Sequence, residues 1–279
     1  MVRSRIWISL LFFSPHSPLL KTWRPSHKVY CRTIQGVKYL ESLTRNVCSN
    51  PFLLHYLRVA LILKLNPDIN DQASNSPTSP KRDECLGLFV HLRMHPLLSE
   101  DMVKLYLGHI DAANRKEKIP GFLKLSINNE SPEKINLKGP MPLTARLWKQ
   151  ARRDADAAGR QDNPVLLVNF GYDKDIITSG IELTPDAFAT ARGSPPPTAI
   201  LSALPPGLEL PSKIDGFRSI FRGYVISFLW PVIVDLQNSC LLWSVIDKYI
   251  ELDEEDKLKL RRDLRKFDKE IVRQLGFTN

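Results

Sequence analysis

The sequence predicts an α+β fold: a small mixed or antiparallel sheet flanked by helices, with a helical C-terminal third. Three observations predict it. Short runs such as "GFLKLSIN" (121–128) alternate apolar and polar residues, the period of a half-buried strand. Other runs, such as "TARLWKQARRDADAAG" (144–159), carry helical periodicity with start and stop signals. The two kinds are interspersed without the regular strand–helix–strand rhythm of a parallel α/β sheet.

Pro25 suits the first turn of a helix that carries His27 and Cys31. Ile34, Val37, Leu40 and Leu43 recur at helical spacing and predict a second helical stretch. "SNPFLLHYLRVALILKL" (49–65) opens with Ser, Asn and Pro and is apolar nearly all round, which predicts a buried helix. Residues 66–84, rich in Asn, Ser, Pro and Asp, predict a polar linker loop. "LGLFVHLRM" (86–94) reads as a strand. "SEDMVKLYLGHI" reads as a helix capped by Ser99, with Glu100 and Asp101 in its first turn.

After the strand at 121–128 comes a helix capped by Thr144 and closed by Gly159. "NPVLLVNFGY" (163–172) reads as a central strand that pairs with "DIITSGIELT" as a hairpin around "GYDKD". Thr184 and Pro185 start a short helix, and 193–213 is a proline-rich loop. Asp253 is expected to cap one long helix, "EEDKLKLRRDLRKFDKEIVRQLG". Leu258, Leu264, Phe267, Ile271 and Leu275 form its apolar face, and Gly276 ends it. No internal repeat is found.

The chain has 279 residues, 43% hydrophobic and 25% charged, the proportions of an ordinary soluble globular protein. A net charge of +9 allows contact with nucleic acid or an anionic membrane. The basic residues are dispersed, however, and the densest run, "KLKLRRDLRKFDKE" (257–270), is broken by acids and reads as a solvated helix face. No stretch interleaves basic and aromatic residues as a single-strand platform does, so specific nucleic-acid binding is not expected. The apolar run "YVISFLWPVIV" (224–234) falls well short of the about 20 residues a bilayer span requires, so no membrane segment is expected. Cys31, Cys48, Cys85 and Cys240 are widely spaced. They make no disulfide scaffold and point to a reducing compartment, cytoplasmic or nuclear.

Residues 1–20 stand apart. Two arginines precede a short apolar run, Ile6 to Phe13, with no small-residue cleavage site after it; a secretory signal and a mitochondrial transit peptide are both open readings. A third is that these residues are a non-native or disordered leader, foreign to the mature fold.

His27 and Cys31 lie four residues apart, one helical turn, so an imidazole and a thiolate there share one face and can hold one ion. The stretch "KTWRPSHKVYC" resembles the end of a MYND-type zinc finger, through Lys21, Trp23, His27, Lys28 and Cys31. The remainder of the chain loosely resembles fungal proteins carrying such a finger, through "YLESLTRNVCSNPFLLHYLRVALIL" and "DEEDKLKLRRDLRKFDKEIVRQLG". The resemblance implies that 21–65 hold a finger remnant with its following helices, and that His27 and Cys31 are the last two of eight zinc ligands. It also implies that a complete relative acts as a zinc-dependent protein-interaction platform.

The chain departs from the pattern at the decisive place. No cysteine precedes Cys31, and Leu19 stands where the preceding ligand should be. Two ligands do not make a structural zinc site. On this reading residues 1–20 replace the segment with the first six ligands, and zinc is expected only if the finger is completed upstream. His16, Cys48 and His55 are the remaining candidates to complete a site.

Other constellations are bland. His91 and His95 on a strand share a face about 14 Å apart and read as structural. Asp154, Asp156 and Asp162 lack the glycine and final glutamate of a calcium loop. No phosphate loop, nucleophile elbow or metalloprotease motif occurs. The Asn-His-x-Cys stretch of SET-type methyltransferases, which also carry MYND fingers, is absent. The expectation is therefore a non-catalytic protein-interaction protein, with 85–279 as its α+β domain. The rival is an enzyme of unrecognised class with a pocket around the strands at 86–94 and 163–183.

Overall fold

The computed structural model describes residues 23–65, 84–110, 117–127, 132–135, 143–202, 204, 208, 243 and 245–275, with side chains from residue 36 onward. The leader at 1–20, nearly all of the loop at 66–84, the run at 224–234, Cys240 and much of the proline-rich loop lie outside the described residues.

The fold is α+β. Helices α1 (Trp23–Ser49) and α2 (Pro51–Leu65) precede β1 (Leu86–Pro96), α3 (Ser99–Tyr106), β2 (Pro120–Ile127) and β3 (Glu133–Lys134). Then come α4 (Leu143–Ala157), the hairpin β4 (Val165–Tyr172) and β5 (Asp175–Glu182), α5 (Pro185–Ala191) and α6 (Thr198–Leu201). The described part of α7 covers 245–251; β6 (Arg261–Asp263) and α8 (Lys266–Leu275) follow. The strands form one mixed sheet in the order β5-β4-β1-β2-β6, and β3 pairs the start of β1. Among the described strands β1 and β4 run parallel and the other pairings are antiparallel.

Alternation decides what each sheet face meets. Leu88, Val90, Leu92 and Met94 of β1, Leu123 and Leu125 of β2, and Leu166, Val168 and Phe170 of β4 point into the main core. That core is closed by α1, α2 and α5. Phe52, Leu53, Leu57, Leu61 and Ile62 of α2 are almost fully withdrawn from water, and each such side chain is worth roughly 1.5–3 kcal/mol. On the opposite face α4 seats Trp148 and Ala155 against Val165 and Leu167, and the Trp148 indole donates to the Val165 carbonyl at 2.8 Å. A third cluster, with Leu105, Ile119, Leu264 and Val272, joins α3 to α8.

Several sequence expectations hold. Asn50 caps α2, its Oδ1 accepting the Leu53 N–H at 3.0 Å. The β4–β5 turn is the two-residue loop Asp173–Lys174, with Asp173 left-handed at φ 56°. Pro185 opens α5 behind Thr184. Gly159, at φ 74°, closes α4 in a Schellman arrangement: its own N–H reaches Asp156 O and the Arg160 N–H reaches Ala155 O, both at 3.0 Å.

Others are corrected. The helical stretches carrying His27 and Val37 are one continuous helix, α1. It runs unbroken past Gly36, which lies against the Asp175 carboxylate of the β4–β5 turn. Leu98, not Ser99, stands at the N-cap of α3, with no side-chain cap bond. Thr144 lies inside α4, which begins at Leu143. The long C-terminal helix does not form. The Asp253 carboxylate does take backbone N–H groups, from Lys257 at 2.9 Å and Leu258 at 2.8 Å, but they close a turn. Asp256 and Lys259 then adopt left-handed backbone, Arg261–Asp263 pair with β2, and only α8 is helical. Its N-terminus is held by Asp268, whose Oδ2 reaches back to the Arg265 N–H at 2.8 Å. No described helix is long and apolar enough to cross a membrane.

Candidate functional site

A shallow concavity lies where β2 meets α7. In β2 alternation sends Leu123 and Leu125 into the core and leaves Lys124 and Ser126 on the other face. In α7 the helical period sends Val245, Ile246, Tyr249 and Ile250 inward. Tyr249 stacks on Phe52 with ring centroids 4.1 Å apart, and its hydroxyl accepts from Asn50 Nδ2 at 3.2 Å. The outward residues Asp247, Lys248 and Glu251, with Trp243, form one wall of a groove of about 440 Å³; Lys124, Leu125 and Ser126 form the other.

The groove is electrically mixed. Lys124 Nζ lies 3.1 Å from Asp247 Oδ2, and Lys248 Nζ 3.5 Å from Glu251 Oε2. Asp247 Oδ1 is buried and accepts no hydrogen bond from any described residue. Burial pushes the Asp247 carboxyl up to about 6, helped by the Glu251 charge and opposed by Lys124. Lys124 also lies 5.6 Å from the centre of the Phe122 ring.

Among the described residues, the edge of β2 along this groove is covered only in part. β6 pairs only with Pro120 to Phe122, and the Leu123 N–H donates outward to Leu260 O at 3.0 Å. From Lys124 to Ile127 no described strand pairs with the outer side. Because backbone groups alternate sides along an antiparallel strand, the N–H and C=O of Leu125 face the groove as those of Leu123 face Leu260.

A second polar cluster is buried nearby in the fold. Asp268 accepts from the Tyr172 hydroxyl and from Arg262 Nη2 (2.9 Å), and Arg262 also donates to the Tyr172 hydroxyl. The Arg262 and Arg265 guanidinium groups lie 4.5 and 4.4 Å from the centre of the Tyr39 ring. Desolvation raises the Tyr39 and Tyr172 phenols. This cluster ties α1, β4, β6 and α8 together.

The residues singled out from the sequence fall differently. His27 and Cys31 lie one turn apart on α1; their side chains are outside the described residues. Cys48 cannot share an ion with Cys31, because the continuous helix separates them by about 25 Å at its ordinary rise. Its thiol sits in the core, pushed up to about 12 by burial. His55 is buried against Thr190 Oγ1 at 3.1 Å, and burial lowers its pKa. His16 lies outside the described residues. Among the described residues no group of three or more His, Cys, Asp or Glu side chains converges on a point where a metal could sit.

His91 and His95 share a face of β1, opposite Ser126 and Phe122 of β2. The His91 ring packs 4.6 Å from Phe89, and burial, then Lys124 and Arg93, lower His95 to about 4. The strands at 86–94 and 163–183, expected to line an enzyme pocket, do not line this groove. Sequence reasoning missed Lys124, Asp247 and Glu251; the signal was two carboxylates one turn apart on the polar face of a helix whose other face is apolar. No family model, curated protein or solved structure matches the chain.

Proposed function

We propose that the chain is a non-catalytic protein-interaction protein whose α+β domain receives a partner segment in the groove between β2 and α7. The observation that carries the reading is the edge of β2 from Lys124 to Ile127, with which no described strand pairs, running along a groove with an aromatic side chain and polar groups. Unpaired strand backbone is a template for pairing with another chain, and recognition by strand addition combines those main-chain bonds with pockets for alternate side chains. The resemblance to MYND-finger proteins supports an interaction role in the cytoplasm or nucleus. Within that proposal His27 and Cys31 serve as zinc ligands only in a chain that supplies the upstream cysteines.

The test is site-specific photocrosslinking in cell extract, with a benzophenone side chain at Ser126 and, as control, at the exposed Arg153 of α4. Discrete adducts from Ser126 alone are expected. Adducts from neither position, or the same adducts from both, overturn the reading.

One observation favours a second reading. A carboxyl held near pH 6 beside Lys124 and Ser126 suits general acid–base chemistry. Turnover of a chromogenic ester, phosphoester or glycoside that vanishes in Asp247→Asn would establish it.

A further inference from the structure

We infer that the sheet face displayed by β1 binds single-stranded nucleic acid, a ligand separate from the protein partner of the groove, with a base stacked on Phe89 and the neighbouring phosphates on Arg93. Alternation divides β1 cleanly. Leu88, Val90, Leu92 and Met94 enter the main core, so Phe89, His91, Arg93 and His95 stand on the other face. Aromatic, imidazole and cationic side chains therefore follow one another at every second position. No contiguous run shows this, because a buried apolar residue separates each from the next.

The neighbouring strands extend the surface. Lys124 of β2 lies opposite Arg93, and Asn169 of β4 lies opposite Phe89. Phe89, Arg93, Lys124 and Asn169 are half-buried, so the face is reachable from water. α4 covers its far end, at Val165 and Leu167. The tip of the Phe89 ring rests on Gly171 of β4, so the ring lies across the sheet, with the His91 ring 4.6 Å from it. Unstacked bases are received on aromatic side chains presented by a sheet in this way, and stacking tolerates any base.

The charge at the middle of this face selects an anion. None of the residues that β1, β2, β4 and β5 place there is a carboxylate. Asp247 reaches in from α7 and pairs with Lys124 at 3.1 Å, whereas Arg93 has no ion pair or hydrogen bond among the described residues. Arg93 and Lys124 face each other across the ladder, and like charges so placed repel. Burial, then Lys124, then Arg93 lower the neighbouring His95, so both cationic charges act close to it. A phosphate at Arg93 relieves this repulsion; a cation adds to it. The net charge of +9 draws a polyanion in from a distance.

The experiment measures the full chain by fluorescence anisotropy with short labelled oligouridylate and oligothymidylate at low salt. Unlabelled duplex DNA and polyglutamate serve as competitors. Either single strand is expected to bind, with duplex and polyglutamate competing at least about tenfold less well than unlabelled single strand. Phe89→Leu is expected to weaken binding about tenfold. Arg93→Gln is expected to weaken it about fivefold and to flatten its salt dependence. Lys38→Gln, an exposed cation on α1 across the sheet, is expected to leave it within about twofold. Circular dichroism checks the fold, and Arg93→Gln carries the test if Phe89→Leu does not fold. Absent binding overturns the inference, as do equal losses from Arg93→Gln and Lys38→Gln. Equal competition by duplex or by polyglutamate also overturns it, since either shows attraction of charge without stacking.

Discussion

Asp268 and Asp247 are both carboxylates withdrawn from water, and the molecule surrounds them in opposite ways. Asp268, with its side chain 1% exposed, is met by the Tyr172 hydroxyl, the Arg262 guanidinium and the Arg265 N–H. Asp247, at 15%, has Lys124 on one oxygen and nothing among the described residues on the other. The first arrangement uses up its acceptors to hold four elements in place; only Arg262 Nε is left over. The second leaves one acceptor without a donor among the described residues. A satisfied buried charge rigidifies the fold, whereas an unsatisfied one is a cost that the rest of the fold must carry.

The sharpest way to break the comparison is Asp268→Ala. It strands the Arg262 guanidinium, 17% exposed, without its carboxylate, and is expected to destabilise the fold by about 3–5 kcal/mol in urea denaturation.

Next is the pH dependence at Asp247. Its folded pKa, about 6, lies above the ordinary 3.8, so in this range the native state holds its proton more firmly than the unfolded chain does. The contribution of this group to stability therefore falls as pH rises from about 4 to about 6 and is flat above, a loss of about 1–3 kcal/mol in all. His95 slopes the other way. Lowered to about 4, it resists a proton that the unfolded chain accepts below about 6.5, so its contribution rises with pH over the same window. The difference between native protein and Asp247→Asn, measured at each pH, isolates the aspartate. An absent difference shows that Asp247 is solvated like any surface acid.

Tyr172→Phe is smaller. It removes one hydroxyl between Arg262 and Asp268 but keeps the ion pair, and is expected to cost about 1–2 kcal/mol by the same denaturation. Smallest is Lys248→Ala. The Lys248–Glu251 pair is 55% and 34% exposed, and its loss is expected to change stability by less than about 0.5 kcal/mol.

Much of the fold was legible because it is locally encoded. The alternation of β2, the turn at Asp173, Thr184-Pro185 and Gly159 each act within a few residues, and the structure follows them. The C-terminal helix was misread because Asp253 is a good cap by composition, whereas its carboxylate closes a turn and the edge of β2 draws Arg261–Asp263 into the sheet. Tertiary pairing overrode helical spacing there. The groove was illegible for a different reason: Lys124 and Asp247 come from distant parts of the chain, and nothing local tells that β2 and α7 meet. The metal candidates were judged by spacing. The length of α1 separates Cys31 from Cys48 in a way that a list of cysteines does not.

The Asp268 cluster also bears on how the polypeptide is made. Tyr172 meets its partners 90 and 96 residues later, and Asn46 and Asn50 meet theirs 213 and 199 residues later. Contacts of such separation are slow to form and only become possible late in synthesis. While the ribosome is still adding α7 and β6, the outer edge of β2 has no cover from either, and the phenol of Tyr172 lacks both of its partners. A nascent chain paused before residue 261 is thus a sticky intermediate, and chaperone occupancy along the message should peak there and fall once Asp268 has emerged.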